Sequence, residues 1–195
     1  MNVNKIAELF GEYSRSGCAT AQHLPTLRRI AKECANVVEF GVKQGASASA
    51  FLLGCNGTLY SWDLVITGKA RRLKRAAGKD WRLHEGDIRD IKEIPVCDMI
   101  FFDSLHTYEQ LNYELRTFGK QAQKFLVFHD TISFAIYGAD GETGKWQRQP
   151  SVTPVHDKDT HGIRLAIDEF MVCNPEWKIK FHFPYGHGLL CLEKQ

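Results

Sequence analysis

Three features of this sequence predict an α/β fold built on a doubly wound, mostly parallel sheet. From residue 36 onward, short apolar runs alternate with amphipathic stretches. A glycine-bracketed turn, Gly41-Val42-Lys43-Gln44-Gly45, joins the first apolar run to a small-residue helix start. Two late apolar runs, 177–183 and 189–192, are separated only by Pro184-Tyr185-Gly186-His187-Gly188. Near-continuous apolar strands between helices read as a parallel sheet covered on both faces, and right-handed crossovers wind it doubly. The two late runs must be antiparallel, because a parallel return needs a dozen or more residues.

Residues 3–15 and 23–35 have helical periodicity, with Ser16-Gly17 as the break between them. Pro25 lies near the start of the second, where its missing N–H leaves no bond unmade. Strands are predicted at 37–41, 58–64, 81–85, 99–103 and 125–129, with helices at 47–54, 68–78 and 107–121. The basic run at 69–75 reads as the solvated outer side of its helix. Residues 131–160 hold Gly138, Gly141, Gly144, Pro150 and Pro154 without periodicity, and connections of that length are usually functional. They read as a lid or substrate loop, with Tyr137, Trp146, His156 and the adjoining His161 shaping a pocket. A helix over 161–172 then leads into the closing hairpin.

The chain of 195 residues is 44% hydrophobic, enough for one domain with a substantial core. Its 25 basic and 23 acidic side chains leave a net charge of +2, which gives no bulk attraction to nucleic acid or membrane. Cysteines 18, 34, 55, 97, 173 and 191 are scattered without a C-x-x-C pair. They read as reduced thiols of a cytoplasmic protein, not as a disulfide frame or a zinc site. No apolar run approaches the ~20 residues of a membrane span, and no leader peptide is evident.

In open parallel sheets ligands bind at the carboxyl ends of the strands, and here every such end is acidic. The five ends carry Glu39, Asp63, Glu85-Gly86-Asp87, Asp103 and His129-Asp130. Gly41 and Gly45 allow close backbone approach, and the turn they bracket is expected to leave N–H groups open to a ligand. Glu39 at its mouth would repel a phosphate and favour a cationic or hydroxyl-rich ligand. Asp63 follows the turn by about twenty residues, the separation at which a carboxylate grips ribose hydroxyls. Asp87 suits either an adenine amino group or the cap of the next turn. Asp103 and His106, three residues apart, can hold a metal or move a proton, and Ser104 or Thr107 can cap the helix that follows. Asp130 is a second ligand candidate, and His129 is either a ligand or a core histidine. Strand alternation suggests that only one of those two points into the site.

Together, Glu39-Phe40-Gly41-Val42-Lys43-Gln44-Gly45, Asp98-Met99-Ile100-Phe101-Phe102-Asp103-Ser104-Leu105-His106-Thr107-Tyr108 and Val127-Phe128-His129-Asp130-Thr131 resemble segments of the class I S-adenosylmethionine-dependent methyltransferases. The nearest likeness is to the small bacterial and phage branch related to macrocin-type O-methyltransferases and cephalosporin-hydroxylase-like proteins, over roughly residues 36–193. The resemblance implies a Rossmann-like sheet of seven strands whose last strand is antiparallel. It places Glu39, Gly41 and Gly45 around the methionine part of the cofactor, Asp63 on the ribose and Asp87 near the adenine. It makes 1–35 the N-terminal helices, 36–130 the cofactor-binding half and 131–160 the substrate loop of one domain spanning 1–195. Some relatives hold a divalent cation at positions matching Asp103 and Asp130. His129 stands where metal-dependent relatives often have a carboxylate, which favours Mn²⁺ or no metal over Mg²⁺.

The expected reaction is methylation of a small-molecule hydroxyl, such as that of a sugar, with the cation or His106 or His129 dealing with the acceptor's proton. Asp103 is expected to be essential in either version. Residues 41–46 read Gly-Val-Lys-Gln-Gly-Ala, which lacks the second glycine of a nicotinamide-dehydrogenase fingerprint. A nucleic-acid methyltransferase would show a basic, aromatic-studded face. A non-catalytic cofactor- or partner-binding module on the same fold stays open, and a homo-oligomer is compatible with the sequence.

Overall fold

Alternate residues of the central strands divide the protein into two apolar layers. The structure, a computed structural model, describes residues 1–138 and 162–195. Strands β1 (Asn36–Phe40), β2 (Thr58–Asp63), β3 (Trp81–Glu85), β4 (Cys97–Phe102), β5 (Ala122–His129), β6 (Trp177–Phe183) and β7 (Leu189–Lys194) form one sheet. Their order is β3-β2-β1-β4-β5-β7-β6. Val37, Met99, Phe101, Val127 and Cys191 pack on one face with helices α1 (Val3–Ser14), α2 (Leu24–Ala31), α3 (Ala46–Gly54) and α4 (Gly68–Ala77). Val38, Phe40, Ile100, Phe102 and Leu190 pack on the other with α5 (Tyr108–Phe118) and α6 (Ile163–Cys173). Because the pleat sends successive side chains to opposite faces and both faces are covered, the central strands read as unbroken apolar runs.

The first five strands pair in parallel, and β7 runs antiparallel to both β5 and β6. The closing hairpin is therefore as expected. It threads the last strand between β5 and β6 and leaves β6 at the sheet edge.

The second helix is shorter than its periodicity suggests. One 3₁₀ turn, Ala21–His23, precedes Leu24–Ala31. The amides of Lys32, Glu33 and Cys34 then bond three residues back, which tightens the helix and releases the chain into β1. Thr107 caps α5 by accepting from the Gln110 amide at 3.3 Å. On α4 the basic run faces outward, while Ala70, Leu73 and Ala77 are buried. All six cysteines are free. Among the described residues no helix is long and apolar enough to cross a membrane. Within the expected loop at 131–160, Tyr137 is exposed, whereas Trp146 and His156 lie outside the described residues, as does His161.

Candidate active site at the sheet switch point

Strand order reverses between β1 and β4, the place where open α/β sheets hold ligands. A cavity of about 690 Å³ lies there. Its wall runs from the glycine turn through Asp63, Asp87 and Arg89 to Asp103, Ser104, His106, Gln110 and Asp130, with residues 16–20 closing one side. The turn presses directly on β4. A Cβ on Gly41, whose φ is +88°, would sit 2.0 Å from the Asp103 carbonyl oxygen. Gly45 starts α3 with φ at 90°, the left-handed region that glycine enters without strain.

Two of the N–H groups expected to stand open at this turn, those of Val42 and Lys43, are taken. Asp63 Oδ2 accepts from the Val42 and Lys43 amides, each at 2.7 Å, and Oδ1 accepts from Val65 at 3.1 Å. A carboxylate already seated in the nest repels a phosphate, so the turn is closed to diphosphates for this reason, and not because of Glu39. Glu39 lies beneath the turn and not at its mouth. The pleat points this odd-numbered residue toward α3, where it is fully buried. Ser47 Oγ and Ser61 Oγ each donate to it at 2.6 Å. Burial outweighs these bonds and pushes its pKa up to about 8. Gly45 likewise stands behind the cavity-lining residues 41–44 and 46. Asp87 lines the cavity and also acts as a cap. It accepts from the Arg89 amide at 2.9 Å and pairs with the Arg89 guanidinium at 2.6 Å.

At the other end the structure brings Asp103, His106, His129 and Asp130 together. His106 Nε2 lies 3.2 Å from Asp103 Oδ1 and 2.9 Å from Asp130 Oδ2. His129 Nδ1 lies 3.3 Å and 3.1 Å from the same two atoms. The latter are ion-pair contacts without hydrogen-bonding angles, and His129 Nε2 has no partner among the described residues. Asp130 takes a left-handed φ of 59°, which breaks the strand alternation at this point. Both members of the His129-Asp130 pair therefore join the cluster, His129 against Asp103 and Asp130 against His106, although only Asp130 lines the cavity. Burial opposes charge on both imidazoles, but Asp103 and Asp130 overcome it. They raise His106 to about 9 and His129 to about 10. In return, and against the effect of their own burial, both carboxylates are held below their usual range by the two histidines.

Asp103, His129 and Asp130 each offer one ligand atom, all within 4.8 Å of one another. Two carboxylates and an imidazole suit a divalent transition ion better than Mg²⁺. Such an ion would compete with the proton that His129 carries.

Several residues of this region escape sequence reasoning. Glu114 is buried on α5 and accepts from Ser104 Oγ at 2.5 Å and Gln110 Nε2 at 2.8 Å. Burial raises its pKa to about 7 against those two bonds. The signal was present, since 114 falls on the same helix face as Leu111, Leu115 and Phe118. His23 is also buried. Its Nε2 lies 3.0 Å from the carbonyl oxygens of Tyr185 and Gly186, and its ring packs edge-on against His129 at 5.5 Å. Nothing in the sequence pairs residue 23 with residue 185.

No family model and no curated protein matches the chain. Solved structures do. An O-methyltransferase from Bacillus cereus, in complex with SAH, superposes with a TM-score of 0.62 at 13% identity, covering 100% of this chain and 90% of that one. TomG from Streptomyces achromogenes, an O-methyltransferase of tomaymycin synthesis in complex with SAM, gives 0.61 at 15%, covering 100% and 90%. The N-methyltransferase NodS from Bradyrhizobium japonicum WM9 gives 0.59 at 15%, covering 90% and 96%. At such identities the likeness is one of fold: a seven-stranded, mostly parallel sheet with an antiparallel last strand.

Proposed function

We propose that this chain is an S-adenosylmethionine-dependent methyltransferase that methylates a hydroxyl group of a small molecule. The observation that carries this reading is one cavity at the switch point joining two unlike ends. One end has a glycine turn closed to phosphate beside Asp63, and the other has a proton-holding cluster of Asp103, His106, His129 and Asp130. The fold shared with SAH- and SAM-bound neighbours supports it. NodS shows that the fold itself does not choose oxygen over nitrogen. The choice of a hydroxyl rests on the cluster, because a hydroxyl must lose its proton on methylation. The narrower likeness to macrocin-type enzymes rests on the motifs alone.

Methyl transfer from a sulfonium is an in-line displacement with an activated leaving group, so the protein's work is alignment and proton removal. In this reading Gly41 and Asp63 seat the amino-acid and ribose parts of the cofactor, and Asp87 stands beside the adenine. Glu39 supports the turn from below through Ser47 and Ser61. Both imidazoles hold their protons near neutral pH, so an acceptor hydroxyl set against the cluster gives its proton to Asp103, or to His106 once that ring has lost its own. A cation held by Asp103, His129 and Asp130 would add charge that makes that hydroxyl more acidic.

Calorimetric titration with S-adenosylhomocysteine tests the reading. The wild-type chain is expected to bind, and Asp63→Ala is expected to lose at least tenfold in affinity, ~1.4 kcal/mol. Absence of binding by the wild type overturns the cofactor assignment. Labelled S-adenosylmethionine with a fractionated cell extract, with and without chelator, then identifies the acceptor and the need for a metal.

A further inference from the structure

Glu114 is a carboxyl group placed in a helix–sheet interface where, among the described residues, no cationic side chain lies within ion-pair distance and His106 acts on it only from farther off. Among the described residues its partners are Ser104 Oγ and Gln110 Nε2, both donating to Oε1, while Oε2 has none. Leu111, Leu115 and Phe118 share its buried face, so an apolar side chain at 114 would complete the packing. Burying a carboxyl there instead is unfavourable. What the arrangement achieves is the orientation of two residues of the cavity wall, Ser104 and Gln110, beside Asp103 and His106.

A serine hydroxyl has a single proton. With that proton committed to Glu114, Ser104 Oγ offers a ligand only lone pairs. Gln110 gives one of the two hydrogens of its amide nitrogen to the same carboxyl oxygen, which fixes that oxygen beside Ser104. The arrangement survives protonation of Glu114, since a proton on Oε2 leaves both bonds to Oε1 in place.

We propose that Ser104, its only hydroxyl proton locked on Glu114, is an acceptor in the cavity wall that anchors an O–H or N–H donor of the substrate and offers no donor to a carboxylate or phosphate group. The substrate is therefore a molecule that places a neutral or cationic hydrogen-bond donor at this position. Ser104 makes the contact, and Glu114 and Gln110 are positioning residues. The surface also prefers substrate to product, because a methylated hydroxyl has lost its donor. Only the identification of that substrate as a methyl acceptor rests on the function proposed above.

Matched probes test the surface directly. Ligand-observed NMR measures phenol against anisole, and benzyl alcohol against benzoate, with and without S-adenosylhomocysteine. The wild-type chain is expected to favour phenol over anisole about fivefold, one neutral hydrogen bond, and to favour benzyl alcohol over benzoate. Ser104→Ala and Glu114→Leu are expected to bind phenol and anisole equally. Glu114→Gln, whose amide oxygen accepts the same two donors, is expected to restore the preference. Equal binding or no binding of the pair by the wild type overturns the proposal, as does a preference that survives in both Ser104→Ala and Glu114→Leu. Because the probes are also measured without S-adenosylhomocysteine, failure of that ligand to bind counts against the cofactor reading and leaves the test of the surface standing.

Discussion

At the glycine-turn end of the cavity, buried or partly buried carboxyls are held by neutral groups. Asp63 takes three backbone amides, and Glu39 takes two serine hydroxyls. At the β4–β5 end, Asp103 and Asp130 are held by two imidazoles drawn from separate elements. The contrast is physical. Amide and hydroxyl donors keep their protons throughout, so at the first end only the carboxyl itself titrates, Glu39 near 8. At the second end the donors titrate too, His106 near 9 and His129 near 10, and their protons couple them to Asp103 and Asp130.

The largest expected effect lies at the second end. Asp103→Ala leaves a buried and a partly buried imidazole sharing one carboxylate, and removal of one member of a buried ion pair typically costs about 3–5 kcal/mol. Chemical denaturation of this variant should show that loss. At the first end Asp63→Ala strands only partly buried amides that water can reach, so a loss of about 1–3 kcal/mol is expected. Denaturation midpoints that fall equally for the two variants would erase the distinction between the ends.

A smaller effect separates the ends by pH. Glu39 is raised from 4.5 to about 8, so its contribution to stability is full below pH 4.5 and lost as pH climbs through 8. His106 and His129 rise from 6.5 to about 9 and 10, so theirs is full below pH 6.5 and lost through 9 and 10. Melting temperature should therefore fall with rising pH in two overlapping windows. Glu39→Gln should flatten the lower window and His106→Gln the upper. A profile that neither substitution changes would show that these groups are not what the two ends titrate.

Much of this was legible in the sequence. Alternating apolar runs placed the seven strands, and the five-residue turn at 184–188 forced the antiparallel hairpin. Reading the polar residue at each strand end located Asp63, Asp87, Asp103 and Asp130, all of which line the cavity. Periodicity reports which face a residue takes, and strand order brings strand ends together, so these features follow from local pattern and topology.

Tertiary structure alone decided the partners. That Asp63 closes on the amides of residues 42 and 43, that Glu39 lies under Ser47 and Ser61, and that Glu114 holds Ser104 and Gln110 depend on the final approach of separate elements. The left-handed turn at Asp130 brings two consecutive side chains into one cluster where strand alternation would part them. A hydrogen bond is set over distances of about 3 Å, far finer than any periodicity encodes. The chain itself thus determined where its charged groups would gather, and only its packing determined which of them share a proton.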